Sequence, residues 1–208
     1  MALTYQTYRH LIESHRALAE GYGSLGRALY SNAATMNASD PIGTLAGLGD
    51  IEALLWQPLV AAFPDLERRT EILLGGQFRG QDWFASTGYF IGHFERPLFG
   101  LAASGRPQWL RYGWFDRVEG DHVVESFVIF DFARLMIDTG QWPLAPPLGA
   151  SWSPAPAPQD GLVRTAGDPA GAAESLALVE AMIAGLMQYD RQSLASMGMR
   201  RFWTPQFQ

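Results

Sequence analysis

The sequence predicts an α+β fold in which N-terminal helices pack on one face of a curved antiparallel sheet. Three observations predict it: apolar residues first recur at helical spacing, they then alternate with polar residues over 70–132, and no helix-length segment separates the strand-like stretches. Parallel strands need long crossover connections, so strands joined by short turns are expected to be antiparallel. Helices followed by a run of strands are typical of the α+β class.

The helices come first along the chain. Apolar and aromatic residues recur every three or four positions over 8–22, so one stripe of this helix faces a core. Glycines are expected to interrupt it before a second helical stretch through Leu29. Residues 37–49 have the composition of a loop, and Asp50 is a candidate N-cap for a further helix.

Four strand-like stretches follow, separated by Gly, Ser and Asp residues that are typical of hairpin turns. Apolar and polar residues alternate within them, as expected on strands that bury one face. The predicted strands are residues 71–74, 83–94, 109–118 and 122–132.

The sequence predicts three segments: a domain over 1–148, a linker over 149–170 and a helical tail over 171–208. The linker is rich in Pro, Ala and Gly, which favour an extended connection over a packed element. In the tail, apolar residues from Leu178 to Met187 predict an amphipathic helix.

The composition suits a chain that folds around a sizeable core, because 48% of its 208 residues are hydrophobic and 17% are charged. The sequence contains no Cys, which excludes disulfide scaffolds, thiolate nucleophiles and Cys-ligated zinc. All 15 basic residues are Arg, so Schiff-base chemistry and a Walker lysine are excluded as well. The net charge of -6 disfavours a nucleic-acid partner.

The N-terminus shows no apolar signal core, since residues 1–16 mix Tyr, Arg, His and Glu. No apolar run approaches the roughly 18 residues of a membrane span. We therefore expect a cytoplasmic protein with no membrane partner.

Asp131 is the residue that most strongly suggests acid/base chemistry. It lies in an otherwise almost entirely apolar run, 126–132, and by strand parity it shares a face with Phe127 and Ile129. Burial without a partner raises the pKa of a carboxyl group, and such a group suits a general acid or base. The alternative is structural: an Asp at the end of a strand that caps a helix over 133–137.

Aromatic residues and one histidine on the predicted strands are candidates for binding an apolar substrate. His93 shares strand parity with Trp83 and Tyr89, so one face of this strand can line an aromatic pocket with the imidazole at its end. Trp114 is a further candidate for the pocket wall. The alternatives are a histidine at the rim of the fold and tryptophans in the core. Asp116 is expected to be a solvated charge at a strand end, and the remaining histidines show no metal-ligand spacing, so no metal site is expected.

Several short motifs occur in an order that resembles one protein family. They are Asp82-Trp83-Phe84-Ala85, Thr87-Gly88, residues 100–106, Arg111-Tyr112-Gly113, Val118-Glu119-Gly120-Asp121, residues 125–131, Leu135-Met136 and Gly140, preceded by Ala62-Phe63-Pro64-Asp65. In this order they resemble the SnoaL-like polyketide cyclases (ester cyclases) of the nuclear transport factor 2-like superfamily. The resemblance covers roughly residues 8–148.

The resemblance implies a cone of helices around a strongly curved antiparallel sheet, which encloses a deep hydrophobic pocket. It also implies acid/base chemistry without cofactor or metal, which is an intramolecular aldol ring closure in the best-known members. Asp131 falls at the position of the family's acid/base Asp. Two positions depart from the family pattern: Phe90 stands where members often have His, and Asp138 stands where they usually have Gln.

The tail resembles the opening helices of a second, incomplete copy of the same fold. The alternative is a C-terminal helix that docks on the first domain. A helix pair without its sheet has an unburied apolar face, which is expected to dock, to dimerise or to stay mobile.

Two functional hypotheses follow. The first is a small cofactor-independent cyclase, isomerase or dehydratase that acts on an apolar carbonyl compound, with Asp131 as the group that moves a proton. Its pocket would be shaped by Trp83, Tyr89, His93 and Trp114. The second is a non-catalytic module on the same fold that binds a small molecule or dimerises, and the two departures from the family pattern favour it. A homodimer through an exposed sheet face is the expected assembly.

Overall fold

The computed structural model of the protein describes residues 3–146, 148 and 167–203. The chain divides into two compact units, Met1–Val163 and Arg164–Gln208. The linker predicted over residues 149–170 lies almost entirely outside the described residues. The first unit has the α+β architecture that the sequence predicts.

The first unit consists of helices and a six-stranded sheet. In chain order its elements are α1 (Tyr5–Ser14), α2 (Leu18–Leu29), β1 (Tyr30–Ala38), β2 (Thr44–Ala46), the helical segment α3 (Leu48–Asp50, a π-helical turn Ile51–Trp56, and Gln57–Ala62), β3 (Glu67–Phe78), β4 (Gln81–His93), β5 (Pro107–Glu119), β6 (His122–Phe130) and α4 (Phe132–Asp138).

The sheet has the order β2-β1-β6-β5-β4-β3. Strands β3 to β6 form the predicted antiparallel meander, and β3 and β5 extend beyond the predicted stretches at both ends. The sheet is mixed because β1 pairs with β6 in parallel. Strands β1 and β2 occupy a region for which the sequence predicts the end of a helix and a loop. Ser and Asn residues in β1 have low strand propensity, so pairing with β6 and β2 determines its conformation.

The break between the first two helices also differs from the prediction. Helical spacing predicts one helix over 8–22, but α1 ends at Ser14, and Leu18 donates its backbone N–H to Leu66 O at 2.9 Å. The glycines expected to interrupt the helix lie within α2. A Cβ at Gly26 would lie 3.3 Å from Leu48, so the glycine lets α2 pack closely on α3.

The inner face of the sheet is filled with aromatic side chains. Phe90 and Tyr112 are fully buried, with ring centroids 4.8 Å apart. Trp114 stacks on Trp56 of α3 at 5.6 Å. Burial of rings of this size supplies most of the stabilisation of a core, at about 25 cal/mol for each Å² of apolar surface removed from water. The helices of the first unit thus pack on the inner face of the sheet.

On the outer face, large apolar side chains are exposed among the described residues. Phe115, Phe127 and Ile129 are 46%, 43% and 62% exposed. Apolar patches of this kind are typical of interfaces. This is the surface that the predicted homodimer would use, and the dimer stays a prediction.

The second unit contains α5 (Pro169–Leu186) and two short 3-10 turns, Leu194–Met197 and Met199–Phe202. Asp168 caps α5 by accepting from the backbone N–H groups of Ala170 and Gly171. Contrary to the sequence-based expectation, α5 is long and apolar enough to cross a membrane, by length and composition only. Both interpretations of the tail stay predictions.

One glycine is essential to the sheet geometry. Gly88 lies opposite the bulge in β3, and a Cβ at Gly88 would lie 1.9 Å from the carbonyl oxygen of Arg69. Gly88→Ala is therefore expected to lower the free energy of unfolding by about 3 kcal/mol, because a backbone oxygen cannot rotate away. Chemical denaturation measures the change.

Gly113→Ala is the matched control for this prediction. Gly113 lies in the neighbouring strand β5, and a Cβ at this position would have nothing within 4 Å. The substitution is expected to change the free energy of unfolding by less than about 1 kcal/mol. Equal losses in the two variants would show that the close approach at Gly88 does not matter.

Candidate functional site

Asp131, the predicted acid/base residue, caps a helix at the end of the sheet. Its Oδ1 accepts from the backbone N–H of Arg134 at 2.9 Å, at the first turn of α4. Its own N–H donates to Arg111 O. The side chain is half-buried rather than enclosed in a hydrophobic pocket. The structure therefore corrects the expected placement, and the geometry is that of the structural alternative.

Tyr89 lies near Asp131, on strand β4 where it pairs with β5. It is 6% exposed and pairs with Arg111 across the strands. Burial raises the pKa of Tyr89, the positive charge of Arg111 lowers it, and the carboxylates of Glu71 and Asp131 raise it further. Tyr89 is therefore a neutral phenol at pH 7.

His93 is an exposed residue at the end of β4. Its Nδ1 lies 2.6 Å from Oδ2 of Asp65, and its backbone N–H donates to Oδ1 of the same carboxylate. The hydrogen bond to Asp65 raises the pKa of His93 and lowers that of Asp65. His93 is therefore a histidine at the rim of the fold, which is the alternative that the sequence allows.

The four predicted substrate-binding residues do not form one site. Trp83 is half-buried with its ring 6.2 Å from that of Phe127, on the outer face. Trp114 points into the interior, where it is 1% exposed. Since successive residues of a strand point to opposite faces, Trp83, Tyr89 and His93 lie across the sheet from Trp114.

The interior holds a buried polar cluster around Asp116, although the sequence predicts that Asp116 is a solvated charge. Asp116 is fully buried. Its Oδ2 accepts from Tyr8 Oη at 2.6 Å, and its Oδ1 accepts from Trp114 Nε1 at 2.9 Å and from Ser126 Oγ at 2.5 Å. The missed signal was strand parity: Asp116 follows Tyr112 and Trp114 on the face that alternation predicts to be buried.

Arg68 on β3 adds a buried cation to the same interior. It is 2% exposed, and its Nε and Nη2 donate to Tyr112 Oη at 3.1 Å and Ser86 Oγ at 3.0 Å. The guanidinium lies 4.8 Å from the ring centroid of Tyr112 and 5.2 Å from that of Trp114. Contacts of this kind with aromatic faces stabilise a buried cation.

The environment moves both acidic groups of the cluster toward their neutral forms. Burial raises the pKa of Asp116, while hydrogen bonds from Ser126, Tyr8 and Trp114 and the charge of Arg68 oppose that change. Burial, followed by the charge of Asp116, raises the pKa of Tyr8 well above its usual value. A carboxyl group with a raised pKa can accept and return a proton, and nearby donors can stabilise an oxyanion.

The described residues contain no group of three or more His, Cys, Asp or Glu side chains that could hold a metal ion. The functional groups assembled in the interior are instead a carboxyl, a guanidinium, phenols and hydroxyls. These groups can move protons and stabilise charge.

Solved structures with this fold include proteins of the SnoaL-like type. A candidate SnoaL-like polyketide cyclase from Jannaschia sp. CCS1 superposes with a TM-score of 0.52 and 15% identity, over 66% of this chain and 93% of its own. IdmH, a candidate polyketide cyclase from Streptomyces antibioticus, superposes with a TM-score of 0.53 and 20% identity, over 64% of this chain and 98% of its own. AclR, a candidate hydroxylase from Streptomyces galilaeus, superposes with a TM-score of 0.55 and 15% identity, over 69% of this chain and 91% of its own.

At these identities the similarity establishes the fold and leaves the activity open. Neither a protein-family model nor a curated protein matches the sequence. The resemblance to SnoaL-like polyketide cyclases is thus confirmed at the level of the α+β fold.

The raised pKa of Asp116 predicts a particular pH dependence of stability. Between the usual carboxyl value near 3.8 and the higher folded value, the folded state holds a proton that the unfolded state releases. Stability from this group is therefore full at low pH and is lost as the pH rises, by at most about 1.4 kcal/mol per pH unit. The wild type should lose stability over this range relative to Asp116→Asn, as measured by urea denaturation at successive pH values. If the stability of the wild type relative to Asp116→Asn stays constant or increases as the pH rises, the assignment is contradicted.

The capping role of Asp131 predicts which substitutions its position tolerates. Asp131→Ala should lower the free energy of unfolding by about 1 kcal/mol, because the N–H of Arg134 loses its acceptor. Asp131→Asn should cost much less, since Asn is an equally good N-cap. Thermal denaturation of both variants tests this, and equal losses would rule out capping as the role of the side chain.

Proposed function

We propose that the protein is a cofactor-independent acid/base enzyme of the cyclase, isomerase or dehydratase type, acting on a small apolar carbonyl compound. In this proposal Asp116 moves the proton, in place of Asp131. The observation that carries it is the complete burial of Asp116 beside a second buried ionic group, Arg68. A carboxyl with a raised pKa inside a fold is a recurrent feature of sites that transfer protons.

The proposed step is proton abstraction next to a carbonyl group. The Asp116 carboxylate accepts a proton from the carbon α to the carbonyl, and the electron pair of the C–H bond moves to the carbonyl oxygen. The positive charge of Arg68 and the hydroxyl of Tyr112 can stabilise the resulting enolate oxygen, while Tyr8 Oη stays hydrogen-bonded to Asp116. In isomerisation the proton returns to a different carbon of a conjugated enolate. In ring closure the enolate carbon attacks a second carbonyl, and the alkoxide oxygen formed takes the proton from Asp116. In dehydration the enolate electron pair expels a β-hydroxyl, which leaves as water with the proton from Asp116.

Access to Asp116 would require movement of α1, which supplies Tyr8. This helix packs Tyr8 and Ile12 into the core, and Tyr8 Oη donates to Asp116. Its opening would expose these side chains and break that hydrogen bond, so substrate binding would have to offset the free-energy cost. In the proposal α1 therefore acts as the cover of the site.

Deuterium exchange into a bicyclic ketone tests the proposed chemistry. The protein is incubated with 2-tetralone in D2O without added cofactor, and loss of the α-proton signal is followed by NMR. The wild type should accelerate exchange over buffer. Asp116→Asn should reduce the acceleration by about 100-fold, which is the usual contribution of a general base.

Asp131→Asn is the matched control, because it changes a carboxyl to an amide at the position of the family's acid/base residue. Its exchange rate should stay within about twofold of the wild-type rate, given that Asn preserves the cap. Loss of exchange in Asp131→Asn together with full exchange in Asp116→Asn would overturn the proposal in favour of Asp131. Near-UV circular dichroism shows whether each variant keeps the wild-type packing.

One observation favours the second candidate function, a non-catalytic module that binds a small molecule. Phe90, which stands where family members often have His, is fully buried and packs against Tyr112 and Phe130. It therefore offers no polar group to a substrate. Binding of 2-tetralone without any exchange above buffer would overturn the enzymatic proposal and support this one.

A further inference from the structure

Arg68 is a buried cation that lacks an anionic partner among the described residues. None of the ion pairs within 4.0 Å in this part of the chain involves its guanidinium. Its two hydrogen bonds, through Nε and Nη2, go to neutral hydroxyls of Tyr112 and Ser86. Buried charges are normally paired, because desolvation of a lone ion is costly. The side chain therefore has the properties of a site that an anionic group would complete.

The Asp116 carboxyl does not supply this partner. It makes its hydrogen bonds with Tyr8, Trp114 and Ser126, and it influences Arg68 only through space. An additional negative group next to Arg68 would supply the directly hydrogen-bonded anionic partner that the guanidinium lacks.

A narrow crevice between α1 and β3 leads to Arg68. Its cavity volume is about 10 Å³, the size of a single water, and its lining is Ile12, Glu13, Arg16, Arg68, Thr70 and Leu73. The only acidic side chain in this lining, Glu13, is neutralised by Arg9 at 2.8 Å. Arg16 adds a second positive charge at the rim. The crevice thus has the charge and position of an entrance for an anion, although a ligand larger than water needs α1 to move.

We infer that the site takes ligands that carry a carboxylate, held by the Arg68 guanidinium in the interior beneath α1. The inference rests on the proposed function in that it adds a carboxylate to the carbonyl substrate described above. A guanidinium matches the planar carboxylate group, and Nη1 of Arg68 is not used in its hydrogen bonds to Tyr112 and Ser86. The neighbouring rings of Tyr112 and Trp114 favour a carboxylate borne on an aromatic body.

A pair of probes of equal shape tests this inference. 2-Naphthoate carries the carboxylate, and 2-acetylnaphthalene carries a neutral methyl ketone of similar size. The wild type should bind 2-naphthoate at least about tenfold more tightly in titration calorimetry, as expected for a charge-assisted hydrogen bond. Equal affinities for the two probes would overturn the inference.

Substitutions of two adjacent arginines locate the effect. Arg68→Met should abolish the preference for the carboxylate. Arg69→Met should retain it, because Arg69 lies on the opposite face, half exposed and paired with Glu67. A folded Arg68→Met protein that keeps the preference, or an equal loss in Arg69→Met, would contradict the inference.

Two further measurements apply if Arg68→Met does not fold. Arg68→Lys retains the positive charge and should still prefer 2-naphthoate. In the wild type, the indole N–H signal of Trp114, whose ring lies 5.2 Å from the guanidinium, should shift in NMR spectra with 2-naphthoate and not with 2-acetylnaphthalene. An unchanged signal at saturation would overturn the inference. Because 2-naphthoate has no α-proton, these results are independent of the exchange assay.

Discussion

The structure depends on burying a carboxyl group and a guanidinium in one interior without letting them form a direct ion pair. Asp116 on β5 and Arg68 on β3 each obtain their hydrogen bonds from neighbouring elements: Tyr8 on α1, Ser86 on β4 and Ser126 on β6. The network therefore connects the first helix to four strands. Loss of any one partner would leave a buried polar group unsatisfied, which costs more than the hydrogen bond itself contributes.

The same network places the polar groups of the interior on strands β3 and β5. Phe90, on β4 between them, contributes an aromatic ring to the inner face. Asp131, at the end of β6, is occupied by the first turn of α4. The helix α1 both covers the interior and donates to its carboxyl, so movement of α1 away from the sheet would break a hydrogen bond to Asp116.

The predictable part of the fold was the part in which local pattern and tertiary environment agree. Strands β4 and β5 alternate between buried and less buried residues over most of their length, because the inner face of the sheet is buried there. Two-residue turns join β3 to β4 and β5 to β6. Strand β1 has a polar sequence whose extended conformation comes from its parallel pairing with β6, a contact made between segments that lie far apart in the chain. The end of α1 at Ser14 escaped prediction for the same reason, since Leu18 bonds to the distant Leu66.

The sequence by itself determined the α+β class, the meander of four strands, the resemblance to SnoaL-like cyclases and the exclusion of thiol and lysine chemistry. It also supplied both interpretations of Asp131 and of His93. Only the tertiary structure decided between them, because a carboxyl at a strand end and an imidazole at a rim acquire their partners from residues elsewhere in the chain. The same holds for Asp116. Alternation places it on the inner face, but its burial depends on whether α1 covers that face. The sequence of the strand alone does not show whether a helix covers it.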